Sequence, residues 1–461
     1  VTDGTHPPFT VTGAEVDGVV SDVRVEGGRV AAVGPDLVRP GETTVAAAGG
    51  ALLPGLHDHH LHLLAMAAAH RSLDVAACAG PGAFDRAVQA AHEQAAPGRW
   101  LRVVGVDDLH GPLDARRLDR LAPGRPVRAQ HRSGAAWVLS SPAATAVGPG
   151  VADQNGWVHR RDELLRSRWA ELDDPPDLAL VGTRLAELGV TAVTDATPFG
   201  DTGGFGLLAA ARRDGRLPQR VAVTGGPGLA GVAVPPELAQ GPVKVVVEDH
   251  ALPTPEELVT AFTAARRAGR PVAVHCVTRA ALVLALVAWA EVGSVAGDRI
   301  EHGAVIPVEL FEEISAFGLT VVTQPGFVHE RGDRYLEEVE PDDRPHLYRC
   351  GSLLATGIAV AGSTDAPFGP ADPWLAMRTA IDRTTAAGRP LGHGEAVTPR
   401  VALASFLAPL ATPGGPSRTV RVGAPGDLVL LDRSLDAALG EPSASHVRAT
   451  WIGGMVMHRR G

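Results

Sequence analysis

The chain has 461 residues, 45% of them apolar, and a formal net charge of -10 at pH 7. That length holds one large domain plus a small one, and the acidic balance argues against nucleic acid or anionic membrane as partners, since both select basic surfaces. No segment approaches about 18 uninterrupted apolar residues, so no membrane-spanning helix is expected.

The chain opens on Val1, not an initiator methionine, so a trimmed or renumbered start is expected; its first residues lack the basic flank and apolar run of a signal peptide. Val19 to Val25 and Arg29 to Val33 alternate about Glu26-Gly27-Gly28 and predict a hairpin. The apolar run Leu52 to Leu56 predicts a strand that leads into His57-Asp58-His59-His60-Leu61-His62, four histidines in six positions. In an extended segment His60 and His62 share a side and can share one ion, whereas His57 and His59 are placed differently, His59 in packing or surface.

Residues 71–178 are too many for a plain connection and predict an inserted subdomain over the site, with strands near Trp100 to Val106 and Pro126 to Gln130 and a helix from Asp114 to Leu121. Strand and helix then alternate. The strands are Val190 to Thr194, Arg220 to Val223, Val243 to Val247, Val272 to His275, Arg299 to His302, Leu319 to Thr323 and Ile358 to Ala361. Between two of them Thr254, Pro255 and Glu257 form a capping box that starts a helix. With Leu52 to Leu56 the strands number eight, which predicts an α/β fold, a (β/α)8 TIM barrel. Strands near Asp427 to Asp432, Val447 to Ile452 and Met455 to Met457 predict that both chain ends, 1–52 and 415–461, build a small β-sandwich beside a barrel domain of 53–414.

In such a barrel the chemistry sits at the C-terminal ends of the strands. His60, His62, Lys244, His275, His302 and Asp365 all fall there. Lys244 is the only lysine among 42 basic residues, and lysine, unlike arginine, can act as a neutral amine when buried. Three cysteines, Cys78, Cys276 and Cys350, form no framework and predict a reducing, cytoplasmic compartment, with Cys276 a small buried hydrophobe.

Pro54-Gly55-Leu56-His57-Asp58-His59-His60-Leu61-His62, Lys244, Val274-His275, Ile300-Glu301-His302-Gly303, Gln324-Pro325 and Gly362-Ser363-Thr364-Asp365-Ala366-Pro367 come in an order that resembles the amidohydrolase superfamily, specifically its family 3 branch of formamide deformylase-like hydrolases. Gly423 to Val429 resembles that family's return into its sandwich. The resemblance implies a divalent metal, most often zinc, as one or two ions: His60, His62 and Asp365 on one, His275 and His302 on the other, a carboxylated Lys244 bridging. Asp365 would take the proton of an activated water and pass it to the leaving nitrogen, with Asp195 or His131 next in line as base. The implied reaction is hydrolysis of a carbon–nitrogen bond in an amide, N-formyl compound or cyclic amide.

The substrate is a small molecule, with His131, Trp137, Gln324, Phe327, His329 and Arg331 as candidate contacts. The chain departs from the branch at Gly134-Ala135, where Gly-His is frequent, at Glu248-Asp249-His250 after Lys244, and at Cys276-Val277-Thr278-Arg279 after His275. These departures leave substrate identity open and the ligand set intact. Hydrolytic deamination of a heterocycle is the competing chemistry. A non-catalytic relative would have lost a ligand, and none is lost. A homodimer is one arrangement to test.

Overall fold

The computed structural model describes residues 7–132, 136–159, 161, 164–165, 168 and 177–460. It divides into two compact units, one of Leu64–Asp177 and one made of the chain before and after it.

The first sheet contains β1 (Phe9–Val16), β2 (Val19–Glu26), β3 (Arg29–Gly34) and β4 (Thr43–Ala46) in the order β3-β2-β1-β4. The β2–β3 turn is the expected Gly27-Gly28 pair, both at positive φ, a conformation glycine adopts without a Cβ clash. The chain continues through β5 (Leu52–Pro54) and β6 (Leu56–Leu61). Here the structure departs from the single strand expected over Leu52 to Leu56. β5 pairs antiparallel with a C-terminal strand and β6 begins a different, parallel sheet. The switch falls at Gly55, where an added Cβ would lie 2.1 Å from Thr191 Cγ2.

The Leu64–Asp177 unit carries β7 (Ser72–Asp74), β8 (Leu101–Val106), β9 (Val127–His131), β10 (Ala136–Leu139) and β11 (Trp157–His159), in the order β11-β10-β9-β8-β7. Its helices include Pro81–Gln94 and, for the expected helix from Asp114 to Leu121, Ala115–Leu121 with Asp114 as its N-cap. Phe84, Val88, Val103, Leu118 and Val127 give it a core of its own.

The other unit resumes with β12 (Val190–Asp195), β13 (Arg220–Val223), β14 (Ala239–Gln240), β15 (Val243–Val246), β16 (Val272–Cys276), β17 (Arg299–His302), β18 (Thr320–Thr323) and β19 (Val360–Gly362). All are parallel, in two arcs, β14-β13-β12-β6 and β15-β16-β17-β18-β19. The helices between them include Pro255–Arg267, with the expected Thr254–Glu257 capping box, Arg279–Val292 and Gly326–Glu338. This is an α/β fold, but the ladders do not run round into one closed ring. Single backbone hydrogen bonds link the arcs instead: Lys244 N–H donates to Gly225 O, Asp365 N–H to His60 O and His62 N–H to Ala366 O, each at 2.8 Å. They bring the C-terminal ends of β6, β15 and β19 to one end of the unit.

β20 (Leu428–Leu431), β21 (Val447–Ile452) and β22 (Met455–Arg459) complete a second four-stranded sheet with β5, in the order β22-β21-β20-β5. It shares a core with the β1–β4 sheet, in which Phe9 stacks on Trp451 at 5.5 Å. Among the described residues no helix is long and apolar enough to cross a membrane.

Candidate active site

Every residue of β6 is buried. Alternation along β6 and into His62, the residue after it, separates the histidines as the sequence predicts. His60 and His62 face each other with ring centroids 5.4 Å apart, and His57 turns elsewhere to place Nδ1 2.9 Å from Ala408 O. His59 is fully buried and neither ring nitrogen has a hydrogen-bond partner; burial pushes its pKa down to about 3.

Asp365 lies just beyond β19. Its Oδ1 is 3.2 Å from His62 Nε2 and 3.6 Å from His60 Nε2, and no donor hydrogen-bonds to it although it is buried. The three residues bring one ligand atom each to within 4.8 Å of one another, a spacing a metal ion can fill. Asp365 and His302 both sit at positive φ, 55° and 68°, which non-glycine residues adopt rarely and functional sites tolerate.

The opposite nitrogens of these rings are engaged. His60 Nδ1 contacts the Glu301 carboxylate, which also accepts from Arg299 Nε at 2.5 Å. Burial first, and Lys244 second, hold the His60 pKa well below its ordinary value, so a neutral imidazole donates to that carboxylate and its Nε2 lone pair stays available. His62 Nδ1 is 3.0 Å from Thr197 Oγ1. His302 Nδ1 is 3.0 Å from Gln324 Oε1, whose amide nitrogen donates to Ser363 Oγ at 2.9 Å. Asp58 accepts from His60 N–H, Thr364 N–H and Thr364 Oγ1, tying β6 to the turn that presents Asp365. Burial raises the Asp58 carboxyl to about 7.

Lys244, on β15, is buried, and burial lowers its pKa and favours the neutral amine. Its close polar neighbour among the described residues is His60 Nε2 at 3.5 Å. The His302 ring lies 4.7 Å from His60 and 4.4 Å from His275. Burial, then Lys244, brings His275 down to about 3. The six residues singled out in sequence thus meet at one place.

The remaining candidates lie on several elements. Gln324 is turned to His302, and Phe327 is buried among Val328, Leu347 and Tyr348. Phe327, His329 and Arg331 all lie on the helix Gly326–Glu338; Arg331 stacks 4.3 Å over the Phe327 ring and donates to Phe368 O. His131 ends β9 and Trp137 lies in β10, both in the Leu64–Asp177 unit, with Arg102 5.6 Å above the Trp137 ring. Both Asp195 oxygens accept backbone N–H groups, from Leu63 at 2.9 Å and Thr197 at 3.0 Å. Sequence reasoning gave no role to Arg299, Glu301, Asp58 or Thr197. For the first two a signal was present: two charged residues at alternate positions of one strand, a pattern that side-chain pairing across a buried face explains.

The sequence profile of the Amidohydrolase family matches residues 43–458. N-substituted formamide deformylase from Arthrobacter pascens is 24% identical, over 95% of this chain and 95% of its own. A putative amidohydrolase, YtcJ, from Bacillus subtilis (strain 168) is 25% identical over 73% of this chain and 74% of its own. Among solved structures, an uncharacterized metal-dependent hydrolase from Pyrococcus horikoshii OT3 superposes with a TM-score of 0.77 at 19% identity, covering 95% of this chain and all of the other, and so shares the fold. With the family profile spanning nearly the whole sequence, the chain belongs to the amidohydrolase family of hydrolases.

Proposed function

We propose that this protein hydrolyses a carbon–nitrogen bond of a small-molecule amide, N-formyl compound or cyclic amide, using a divalent metal, zinc being the first candidate. The carrying observation is Asp365 Oδ1: a buried carboxylate oxygen with no hydrogen-bond donor, facing two imidazole nitrogens whose rings are anchored from behind. An orphaned buried carboxylate oxygen is costly, and a cation among these three residues removes that cost. The similarity to a formamide deformylase supports the choice of bond. A divalent ion held by His60, His62 and Asp365 supplies a Lewis acid that acidifies water and polarises the amide carbonyl.

In this reading the protein's own groups do the rest. Glu301 and Thr197 fix the rings of His60 and His62. Asp365 takes a proton from the attacking water and carries it to the leaving nitrogen, because an amine departs far more readily once protonated. Lys244 is buried with its amine held toward the neutral form beside His60 Nε2; on taking up carbon dioxide with loss of a proton it would become a carbamate, an anion that with His275 and His302 would hold a second divalent ion. With the two-residue β14 set aside as an addition, the other eight strands of the two arcs are read as one (β/α) barrel and the two terminal sheets as a sandwich. The compartment is taken to be the cytoplasm and the partner a small molecule.

Metal content and turnover, measured together on wild type, Asp365→Asn and Lys244→Arg, test the proposal. Wild type should hydrolyse part of a panel of N-formyl, N-acyl and cyclic amides and lose that activity to a chelator. Asp365→Asn should retain an ion yet lose about 10²–10⁴-fold in rate, since an amide cannot accept the proton. Lys244→Arg should bind one ion fewer. A metal-free wild type with full activity would refute the metal reading, and unchanged stoichiometry in Lys244→Arg would remove the bridge.

A further inference from the structure

Of the ten phenylalanines only Phe368 is exposed, at 52%; the others are buried or half-buried. One exposed aromatic ring is ordinary on a protein surface. The placement of this one is not: it follows Asp365 by three residues, and its ring meets the His62 ring edge-on with centroids 5.3 Å apart.

The backbone that carries it is held at both ends. Phe368 N–H donates to Asp365 O at 2.8 Å, and its carbonyl accepts from Arg331, whose guanidinium is itself stacked on the buried Phe327. The next residue leaves no slack, because a Cβ at Gly369 would lie 2.6 Å from Thr364 O. A fixed, apolar ring is therefore open to solvent against one of the imidazoles that contact Asp365. Covering it with an apolar group removes that area from water and adds a specific ring contact.

Resting on the amide-hydrolase reading, we propose that Phe368 determines specificity by seating an aromatic or bulky apolar substituent carried on the leaving nitrogen of the substrate. Asp365 delivers its proton to that nitrogen, so the nitrogen side of the scissile bond lies toward the Asp365 turn, and Phe368 is the exposed ring of that turn. Arg331 is a positioning residue that pins the Phe368 carbonyl.

Binding of two probes to the zinc-loaded protein, measured by calorimetry, tests this without turnover. N-benzyl-N-hydroxyformamide and N-methyl-N-hydroxyformamide present the same chelating head and differ in the nitrogen substituent. Wild type should bind the benzyl compound about tenfold more tightly, the order expected for burying a ring against a ring. Phe368→Ala should abolish that preference and Phe368→Tyr keep it. Equal binding by wild type, or a preference that survives Phe368→Ala, overturns the role of Phe368 and leaves the hydrolase reading standing. Failure of both probes to bind zinc-loaded wild type overturns the hydrolase reading and this proposal with it.

Discussion

Strand β6 and the residue that follows it carry histidines on two faces, and the faces differ in what the ring nitrogens meet. His60 and His62 have one ring nitrogen anchored, by Glu301 and Thr197, and the other directed at Asp365. His57 spends a nitrogen on the Ala408 carbonyl, and His59 has no partner for either nitrogen. Imidazole alone therefore does not make a ligand. Anchoring of one nitrogen is shared with His57, so what distinguishes His60 and His62 is that the anchored ring presents its other nitrogen to a common carboxylate oxygen, Asp365 Oδ1.

The strongest way to break the contrast is His60→Ala. It removes one of the three groups proposed to hold the first ion, beside an Asp365 Oδ1 that has no hydrogen bond, so metal content should fall by at least one ion and turnover to background while the fold is retained. Elemental analysis beside an amide-hydrolysis assay checks it, and wild-type activity in the variant would take His60 out of the site. A milder intervention is Glu301→Gln, which keeps shape but replaces the carboxylate behind His60 with an amide. Loss of such an outer partner costs about 10–100-fold in metal affinity. A competition titration against a chelator reads that shift directly, and an unchanged affinity would reduce Glu301 to a packing role. Arg299, which donates to the same carboxylate, is left buried beside a neutral group in that variant, so some thermal destabilisation is expected alongside.

The sequence makes the ligand face legible because it needs only the two-residue period of a strand and the order of strand ends. Arg220–Val223 and Arg299–His302 are read to the residue for the same reason: each is an extended run with clear bounds. Sheet membership is not a local property. Nothing between Leu52 and Leu56 tells that β5 pairs with β20 and β6 with β12; the close approach of Thr191, which leaves no room for a Cβ at Gly55 where the sheets change, is distant in sequence. Glu301 is hidden in the same way. It adjoins a conspicuous histidine, His302, but serves a different one, His60, on another strand. Gln324 likewise serves His302 from the end of β18, and only the folded geometry pairs them.

The smallest effect is expected on the silent face. His59 has its pKa pushed from 6.5 to about 3 by burial, so the native protein holds it neutral while the unfolded chain protonates it in mild acid. A lowered folded pKa contributes stability that is present above about pH 6.5 and is lost progressively as pH falls toward about pH 3. His59→Leu removes both the titration and two buried nitrogens without partners, exchanging them for an apolar side chain of similar size. Metal content and turnover should then stay within about twofold of wild type, as expected for a substitution that touches no ligand. Thermal unfolding of the metal-free proteins between about pH 7 and about pH 4 should fall less steeply for the variant than for wild type. If His59→Leu instead lost the metal, the two faces of β6 would be coupled, and strand alternation would no longer separate the histidines that work from those that only pack.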